Sequence, residues 1–220
     1  MKAMILSAGR GERMRPLTDK LPKPLLRINN KPLLQYHVEA LAEAGIRQLV
    51  INHAVMGNMI EEFFGDGSDF GVKIAYSPEG EEPLETGGGI RRALPLLGSN
   101  PFIVVNGDVM SDYDFAGLPA QPTSVAHLVL VSNPEHNPNG DFHLDNGLVR
   151  SEGEKKLTYS GIAVFKPELF LGIRDERFAL APVLRQAMAS DQVSGEHFAG
   201  HWLDVGTPDR LKAAKSLIKQ

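Results

Sequence analysis

The sequence predicts an α/β fold, in which helices cover both faces of a mixed, mainly parallel sheet. Short apolar runs alternate with amphipathic helical patterns in the first half of the chain, and this alternation is typical of parallel strands joined by crossover helices. At 220 residues, of which 42% are hydrophobic and 23% charged, the chain is long enough for one sizeable α/β domain and short for two. We therefore expect a single catalytic domain over residues 1–220.

The elements follow from local patterns, taken from the N-terminus in the order βαβαβ. Apolar, β-branched runs predict strands, and amphipathic runs with proline near the start or glycine past the end predict helices. Strands are predicted at residues 3–6, 48–52, 72–76, 102–106 and 125–131, and in the segment containing 160–162. Helices are predicted over 31–44, 58–64, 86–97, 180–189 and 208–217. Turn residues at 145–147 predict a hairpin between 141–144 and 148–149.

Composition excludes several classes of function. A formal net charge of −4 argues against a nucleic-acid surface, which usually carries a basic face. Because the sequence has no cysteine, disulfides, thiol catalysis and cysteine metal sites are excluded. No apolar stretch reaches the length of a membrane span or of a signal-peptide core. We therefore expect a cytoplasmic protein without membrane or nucleic-acid partners.

The loop after the first strand combines small residues with basic ones. Small side chains let successive backbone N–H groups approach an anion closely, and Arg13 and Lys23 supply positive charge. The spacing is neither a Walker pattern nor a G-x-G-x-x-G pattern. The loop is thus a candidate phosphate cradle, although such turns also serve simply to connect a strand with a helix. The small residues are Ser7, Ala8, Gly9 and Gly11.

Two later segments carry further signals. Asp108 directly follows the strand 102–106, and open α/β sheets place their ligands beyond the carboxyl ends of such strands; the alternative is that Asp108 only caps a turn. The glycines at 87–89 stand at a helix entrance. They cost helix stability unless something packs against the backbone, while the polar segment 77–85 before them is compatible with an exposed acidic loop.

The first loop resembles the signature of the sugar nucleotidyltransferases, or NDP-sugar pyrophosphorylases, which is L-A-G-G-x-G-T-R-L-x-P-L-T followed by P-K-P. The resemblance implies a Rossmann-like three-layer α/β/α fold, the nucleotide-diphospho-sugar transferase fold. The matching residues are Leu6, Gly9, Gly11, Arg13, Pro16, Leu17, Thr18, Pro22, Lys23 and Pro24. The sequence departs from the signature at Ser7, Ala8, Glu12 and Met14.

The same resemblance implies a role for each candidate residue. It implies that Asp108, in a G-D motif, and Asp204, in a W-x-D-x-G-T-P segment, bind Mg²⁺, and hard cations do prefer such oxygen ligands. Lys23 is assigned to the α-phosphate and the sugar phosphate, and Arg13 to the leaving pyrophosphate. The implied nucleotide-binding residues are Ala8, Gly9, Gly11, Glu12, Arg13, Lys23, Glu85, Thr86, Gly87 and Gly88. The implied sugar-binding residues are Asn106, Asp141, Ser160 and Gly161, with Ser160 standing where asparagine is usual.

The implied reaction joins a nucleoside triphosphate to a sugar 1-phosphate and releases pyrophosphate. Within the family, the E-T-G-G-G and S-G-I segments resemble those of the short bacterial uridylyltransferases that use UTP and N-acetylmuramate α-1-phosphate in peptidoglycan recycling. Mannose-1-phosphate guanylyltransferases share the signature, and an inactive nucleotide-sensing module is a further alternative. A dinucleotide-dependent oxidoreductase is disfavoured, because Asn29 to Pro32 stand where its ribose-binding acid is expected. We expect a monomer or a weak homodimer.

Overall fold

A computed structural model describes residues 1–217 of the chain; residues 218–220 of the predicted domain lie outside the described residues. The strands are Lys2–Leu6 (β1), Arg27–Ile28 (β2), Lys31–Pro32 (β3), Gln48–His53 (β4), Lys73–Pro78 (β5), Phe102–Asn106 (β6), Val109–Ser111 (β7), Ala126–Val131 (β8), Phe142–Asp145 (β9), Leu148–Arg150 (β10), Lys156–Phe165 (β11), Val193–Phe198 (β12) and Trp202–Asp204 (β13). The α-helices are Leu33–Glu43 (α1), Gly57–Phe64 (α2), Glu85–Leu97 (α3), Leu180–Met188 (α4) and Pro208–Leu217 (α5).

The main sheet is mixed, as predicted, and its strands run in the order β5-β4-β1-β6-β11-β8-β12-β10-β9. Neighbours among β5, β4, β1 and β6 are parallel. Beyond β6 the pairings are antiparallel except for that of β8 with β12. The prediction of a mainly parallel sheet is therefore correct for the N-terminal half alone, because most C-terminal strands are not joined by crossover helices.

The antiparallel half of the sheet closes on itself. Strand β9 pairs with β10 and also with β11, through Phe142 to Leu157 and His143 to Lys156. The strands β11, β8, β12, β10 and β9 therefore form a small closed ring beside the open parallel half. The alternating pattern of the sequence did not indicate this closure, because a closed ring and an open meander produce the same local periodicity.

Helices pack on both faces of the parallel strands. Along β1, Ala3 and Ile5 belong to one apolar cluster, whereas Met4 belongs to another, as the alternation of side chains along a strand requires. The first cluster receives buried side chains from α1 and α2, and the second receives them from α3 and α4. The sheet therefore has apolar contacts on both sides, and its strand ends are left to form loops at the edge.

A two-stranded sheet lies next to this edge. Strand β13 pairs antiparallel with β7, which brings Asp204 opposite Val109. A third apolar cluster supports this region, with Met14 from the first loop packed near Val205 and with Leu211 from α5. The sequence did not indicate β7, β13 or β12, since β7 and β13 are three residues long and β12 contains alternating polar residues.

Within the described part of the chain, no helix combines the length and the apolar character that a membrane span requires.

The buried histidine of α1 provides a test of this packing. His37 is 5% exposed, and its Nε2 has no hydrogen-bond partner among the described residues. Burial lowers the pKa of His37 to about 4, while Asp108 and a hydrogen bond with the backbone of Val109 act in the opposite direction. Because the folded-state pKa lies below that of the unfolded chain, we expect the free energy of unfolding to fall as the pH drops from about 6.5 to about 4, by up to about 3 kcal/mol.

Urea unfolding at several pH values measures this effect. A His37→Gln variant removes the titrating group and should lose less stability over the same pH interval. The control His201→Gln, at an exposed position, should keep the pH dependence of the parent protein. An unchanged pH dependence in His37→Gln would show that His37 does not resist protonation in the folded state.

Candidate active site

A crevice of about 440 Å³ opens at the carboxyl ends of β1, β4 and β6. Ten of the residues predicted from sequence line it, from three separate stretches of the chain: Ala8, Gly9, Gly11, Glu12, Arg13, Lys23, Glu85, Thr86, Asn106 and Asp108. The lining also includes Leu6, Ser7, Pro24, Asn52, Glu79, Pro83, Gly107 and Gly206. The predicted site residues of the first loop are thus brought together with Asp108 around one cavity.

The first loop owes its shape to Gly11 and Thr18. Gly11 adopts φ 64°, a left-handed conformation that glycine reaches at little cost. Thr18 donates a hydrogen bond from Oγ1 to the carbonyl of Gly11 at 2.9 Å. A Cβ at position 11 would lie 3.1 Å from Thr18 Cγ2 and 3.2 Å from Lys23 Cβ. The glycine therefore permits the loop to fold tightly against the segment that carries Lys23.

Lys23 and Asp108 form an ion pair at the floor of the crevice. Lys23 Nζ lies 2.6 Å from Asp108 Oδ2, across a sequence separation of 85 residues. The lysine side chain is 12% exposed and that of the aspartate 35%. Lys23 begins a short 3₁₀ helix, and Pro22 and Pro24 on either side restrict its backbone. The cation is therefore held in place at the carboxyl end of β6.

Gly107 allows the loops after β1 and β6 to approach each other closely. Its N–H donates to the carbonyl of Leu6 at 2.9 Å. A Cβ at this position would lie 2.8 Å from that carbonyl oxygen and 2.9 Å from Ser7 Oγ. The Ser7 hydroxyl is buried and has no hydrogen-bond partner within residues 1–217.

Asp204 does not line the crevice but lies near it. It pairs with Val109 in the β7–β13 ladder, and the N–H of Val205 donates to the carbonyl of Asp108 at 2.8 Å, so the backbones of the two aspartates are close together. Asp204 Oδ2 accepts a hydrogen bond from Arg210 Nη1 at 2.8 Å. A Cβ on Gly206, which lines the crevice, would lie 2.7 Å from Asp204 Oδ1. Asp204 Oδ1 thus lies close to Gly206, a residue of the crevice lining.

Positive charge surrounds this carboxylate. The notional Cβ of Gly206 would also lie 2.6 Å from Arg210 Nη2 and 3.2 Å from Arg13 Nη2. His136 Nε2 lies 2.9 Å from Arg210 Nη1 and 3.4 Å from Asp204 Oδ2. Among the residues that the structure describes, there is no group of three or more histidine, aspartate or glutamate side chains placed to hold a metal.

The residues predicted for the sugar side occupy different environments. Gly161, with φ 82°, lies against Asn106, since a Cβ there would be 2.6 Å from Asn106 Nδ2. Asp141 accepts hydrogen bonds from Asn137 Nδ2 at 3.1 Å and from the N–H of Tyr159 at 2.8 Å. Asn106 lines the crevice, whereas Asp141 and Gly161 do not.

Ser160 lies away from the crevice, contrary to the expectation from sequence. It is 1% exposed, and its hydroxyl donates to the carbonyl of Val129 at 2.7 Å and accepts from the N–H of Ile162 at 3.1 Å. The register of β11 shifts at this point, and a β-bulge leaves backbone groups without ladder partners. The Ser160 hydroxyl therefore forms hydrogen bonds with backbone groups of β11 and of the neighbouring β8.

The glycines at the start of α3 pack against protein. A Cβ on Gly87 would lie 2.4 Å from the ring of Phe178, and one on Gly88 would lie 2.3 Å from the carbonyl oxygen of Glu176. Neither glycine lines the crevice, although Glu85 and Thr86 do. The segment 176–178 thus occupies the space that their missing side chains leave, and contact of these two glycines with a nucleotide stays a prediction.

Sequence reasoning missed Asn52 and Glu79. Both line the crevice, and both are buried, with exposures of 2% and 7%. Glu79 stands in the polar segment that was compatible with an exposed acidic loop. A signal was present in Asn52, which directly follows the apolar run 49–51 near the carboxyl end of β4, where ligands of parallel sheets bind.

Comparison with known proteins identifies the family. A family model described as Nucleotidyl transferase matches residues 2–220. The chain belongs to this nucleotidyl transferase family, and the resemblance inferred from the first loop is confirmed.

Curated relatives cover the chain from end to end. The chain is 55% identical to an N-acetylmuramate alpha-1-phosphate uridylyltransferase of Neisseria meningitidis serogroup B, over 99% of this chain and 98% of the relative. It is 32% identical to a protein of the same name from Caulobacter vibrioides, over 99% and 97%. Among solved structures, HddC from Yersinia pseudotuberculosis, complexed with GMP-PN, matches with a TM-score of 0.80 at 21% identity, over 99% of each chain. This last likeness shows the shared α/β fold.

The close approach at Gly107 leads to a prediction about stability. A Gly107→Ala substitution should lower the free energy of unfolding by about 1–3 kcal/mol, as inserted methyl groups do in packed sites, because its Cβ would meet a backbone carbonyl. The control is Gly117→Ala, where a Cβ would meet nothing within 4 Å and the expected change is below about 0.5 kcal/mol. Chemical denaturation of both variants measures the difference. Equal stabilities would contradict the tight contact between the two loops.

Proposed function

We propose that this chain transfers a uridylyl group from UTP to N-acetylmuramate α-1-phosphate, forming a UDP-sugar and pyrophosphate in peptidoglycan recycling. The proposal is supported by the names of the two curated relatives and by their similarity to this chain over nearly its whole length. The observation that carries it is the Lys23–Asp108 ion pair in the crevice, which joins the basic first loop to the acidic end of β6. A cation and a carboxylate at one cavity are the groups that phosphoryl transfer requires.

On the nucleotide side, the first loop would hold the triphosphate. We assign Ala8, Gly9, Gly11 and Glu12 to contacts with the nucleotide, and Arg13 to the leaving pyrophosphate. A Cβ on Gly9 would meet nothing within 4 Å, so the backbone there is open to a ligand. Glu85 and Thr86, which also line the crevice, would contact the base.

The chemistry needs no nucleophile from the protein. An oxygen of the sugar phosphate attacks the α-phosphorus, a new P–O bond forms, and the bond from the α-phosphorus to the pyrophosphate oxygen breaks. The attacking group is largely ionised near neutral pH, since the second pKa of such phosphates is about 6. Lys23 would neutralise charge on the α-phosphate and the sugar phosphate, so that the residues around the crevice mainly position the reactants in line.

Asp108 and Asp204 are the residues that would hold Mg²⁺. The fit rests on Asp204 Oδ1, which is buried and makes no hydrogen bond within the described chain, and on its proximity to the Asp108 backbone. Mg²⁺ is usually bound by one or two carboxylates together with substrate phosphates and water, so two protein ligands suffice. When bound, the ion supplies positive charge to the phosphoryl oxygens.

The sugar would lie on the side of Asn106. This residue lines the crevice and contacts Gly161, so both are assigned to the sugar subsite. Asp141 is assigned to its outer part, while the side chain of Ser160 would act there only through the shape of its strand.

The remaining proposals concern the whole chain. We propose that the two helix-covered faces of the sheet represent the three-layer α/β/α arrangement of the nucleotide-diphospho-sugar transferase fold. We further propose one catalytic domain over residues 1–220, acting in the cytoplasm as a monomer or weak homodimer on small-molecule substrates.

A substrate panel tests the proposed function. We expect rapid pyrophosphate release from UTP and N-acetylmuramate α-1-phosphate in the presence of Mg²⁺, and loss of the reaction when EDTA is added. Slower release is expected when UTP is replaced by GTP, or the sugar by mannose 1-phosphate or N-acetylglucosamine 1-phosphate. The last compound is a matched control, because it lacks the lactyl group alone.

Each outcome of the panel has a clear meaning. Preference for GTP with mannose 1-phosphate would replace the proposal by a guanylyltransferase. Binding of nucleotide without release of pyrophosphate from any pair would indicate an inactive nucleotide-sensing module.

Removal of the Lys23 cation tests its role in the reaction. We expect Lys23→Ala to lower kcat by about 10²–10³-fold, the usual loss for one electrostatic donor in a catalytic site. The control is Lys20→Ala, since Lys20 is exposed and does not line the crevice. Steady-state pyrophosphate release measures both variants. A Lys23→Ala protein with the kcat of the parent would refute the assignment.

A further inference from the structure

Two loops that line the crevice are joined by a chain of hydrogen bonds. The first loop begins at Ser7, after β1, and the second runs from Glu79 to Leu84, between β5 and α3. Asn52, at the end of β4, stands between them. All but Leu84 of these residues are buried, with exposures of 8% for Ser7, 2% for Asn52 and 7% for Glu79.

The bonds run without interruption from one loop to the other. The N–H of Ser7 donates to Asn52 Oδ1 at 2.8 Å, and Asn52 Nδ2 donates to Glu79 Oε1 at 2.6 Å. The other oxygen of the carboxylate, Oε2, accepts from the N–H of Leu84 at 2.7 Å. The backbone of Glu79 is itself fixed, because its N–H donates to the carbonyl of His53 at 2.8 Å.

Helix α3 makes room for this carboxylate at Gly89. A Cβ at position 89 would lie 2.4 Å from Glu79 Oε1 and 2.9 Å from Asn52 Nδ2. The third glycine of the helix entrance therefore serves the Asn52–Glu79 pair, whereas Gly87 and Gly88 serve the segment 176–178. Burial of a carboxylate is costly unless hydrogen bonds compensate for it, and here Asn52 Nδ2 and the N–H of Leu84 supply them.

The direction of the bonds is determined by the two ends. Both ends are backbone N–H groups, at Ser7 and Leu84, and these can only donate. The two side chains between them must therefore accept a hydrogen bond at each end and share one hydrogen bond with each other. One amide and one carboxylate meet this requirement. Two amides would leave one donor facing another donor, and two carboxylates would leave one acceptor facing another acceptor.

We propose that Asn52 and Glu79 are positioning residues that fix the phosphate loop and the base-contacting loop at the spacing which a nucleoside triphosphate requires. Both residues line the crevice together with the first loop and with Glu85 and Thr86, so a nucleotide that fills the crevice would contact both loops. Disrupting the pair should therefore weaken nucleotide binding selectively and have little effect on binding of the sugar phosphate. The kinetic readout rests on the proposed function, whereas the spacing of the loops does not.

A polarity swap tests the proposal. Glu79→Gln places two amides in contact, and Asn52→Asp places two carboxylates in contact, so each single variant should raise KM for UTP by about 10-fold or more. The double variant Asn52→Asp/Glu79→Gln exchanges the two groups and restores all three bonds at the same net charge. We expect its KM for UTP to return to within about 3-fold of the parent value. A 3-fold change corresponds to less free energy than an unsatisfied buried hydrogen-bonding group costs.

Two further measurements separate positioning from general damage. KM for the sugar phosphate should change less than KM for UTP in every variant, and Glu81→Gln, at an exposed glutamate of the same segment, should behave as the parent. Hydrogen exchange at the amides of Ser7 and Leu84 should accelerate in the single variants and slow again in the double variant. This exchange reports on the loops even if the substrate panel shows no turnover.

The proposal is overturned if the double variant is as impaired as the single ones, or if it fails to fold. It is also overturned if the single variants keep the parent KM for UTP and the parent exchange rates. Should a single variant fail to fold while the double variant folds with the parent KM, the rescue supports the proposed polarity.

Discussion

The parallel pairing of β1 with β6 is the constraint on which the site depends. Its register places Leu6 beside Asn106, so the loops that follow both strands start at the same edge of the sheet. Gly107 lets the loops come into contact, and the Lys23–Asp108 ion pair then spans them. Without this register, the basic first loop and the acidic end of β6 would have no common cavity.

The second carboxylate, that of Asp204, is positioned by a separate and shorter strand pairing. Asp204 is placed by the three-residue β7–β13 ladder and by the pairing of its Oδ2 with Arg210. Burial of an ion pair costs desolvation, which further hydrogen bonds must offset, and here His136 and Arg13 lie close by. Within residues 1–217, Asp204 Oδ1 has no hydrogen-bond partner, and the two arginines nearby supply positive charge suited to a polyanionic ligand.

The sequence predicts the parallel half of the fold well, because there each strand and helix has its own periodic pattern. It also locates the first loop and Asp108, since small residues, bases and a carboxylate follow strand ends in a recognisable order.

The closed ring could not be predicted, because the pairing of β9 with β11 joins segments whose local patterns say nothing about their partners. The packing around Ser160, Gly87 and Gly88 could not be predicted for a related reason, because their neighbours at Val129 and at 176–178 come from distant parts of the chain. Asn52 and Glu79 illustrate the same point, since the hydrogen bond between them exists only after β4 and β5 are aligned.

The ring formed by β8 to β12 also affects how the sheet meets other molecules. Because β9 turns back to pair with β11, that side of the sheet presents no outermost strand within residues 1–217. The remaining border is β5, which begins with Lys73 and ends with Pro78. A charged residue and a proline both discourage the addition of a foreign strand. Within the main sheet, β5 is thus the one described strand to which another chain could add, and it is poorly suited to such pairing.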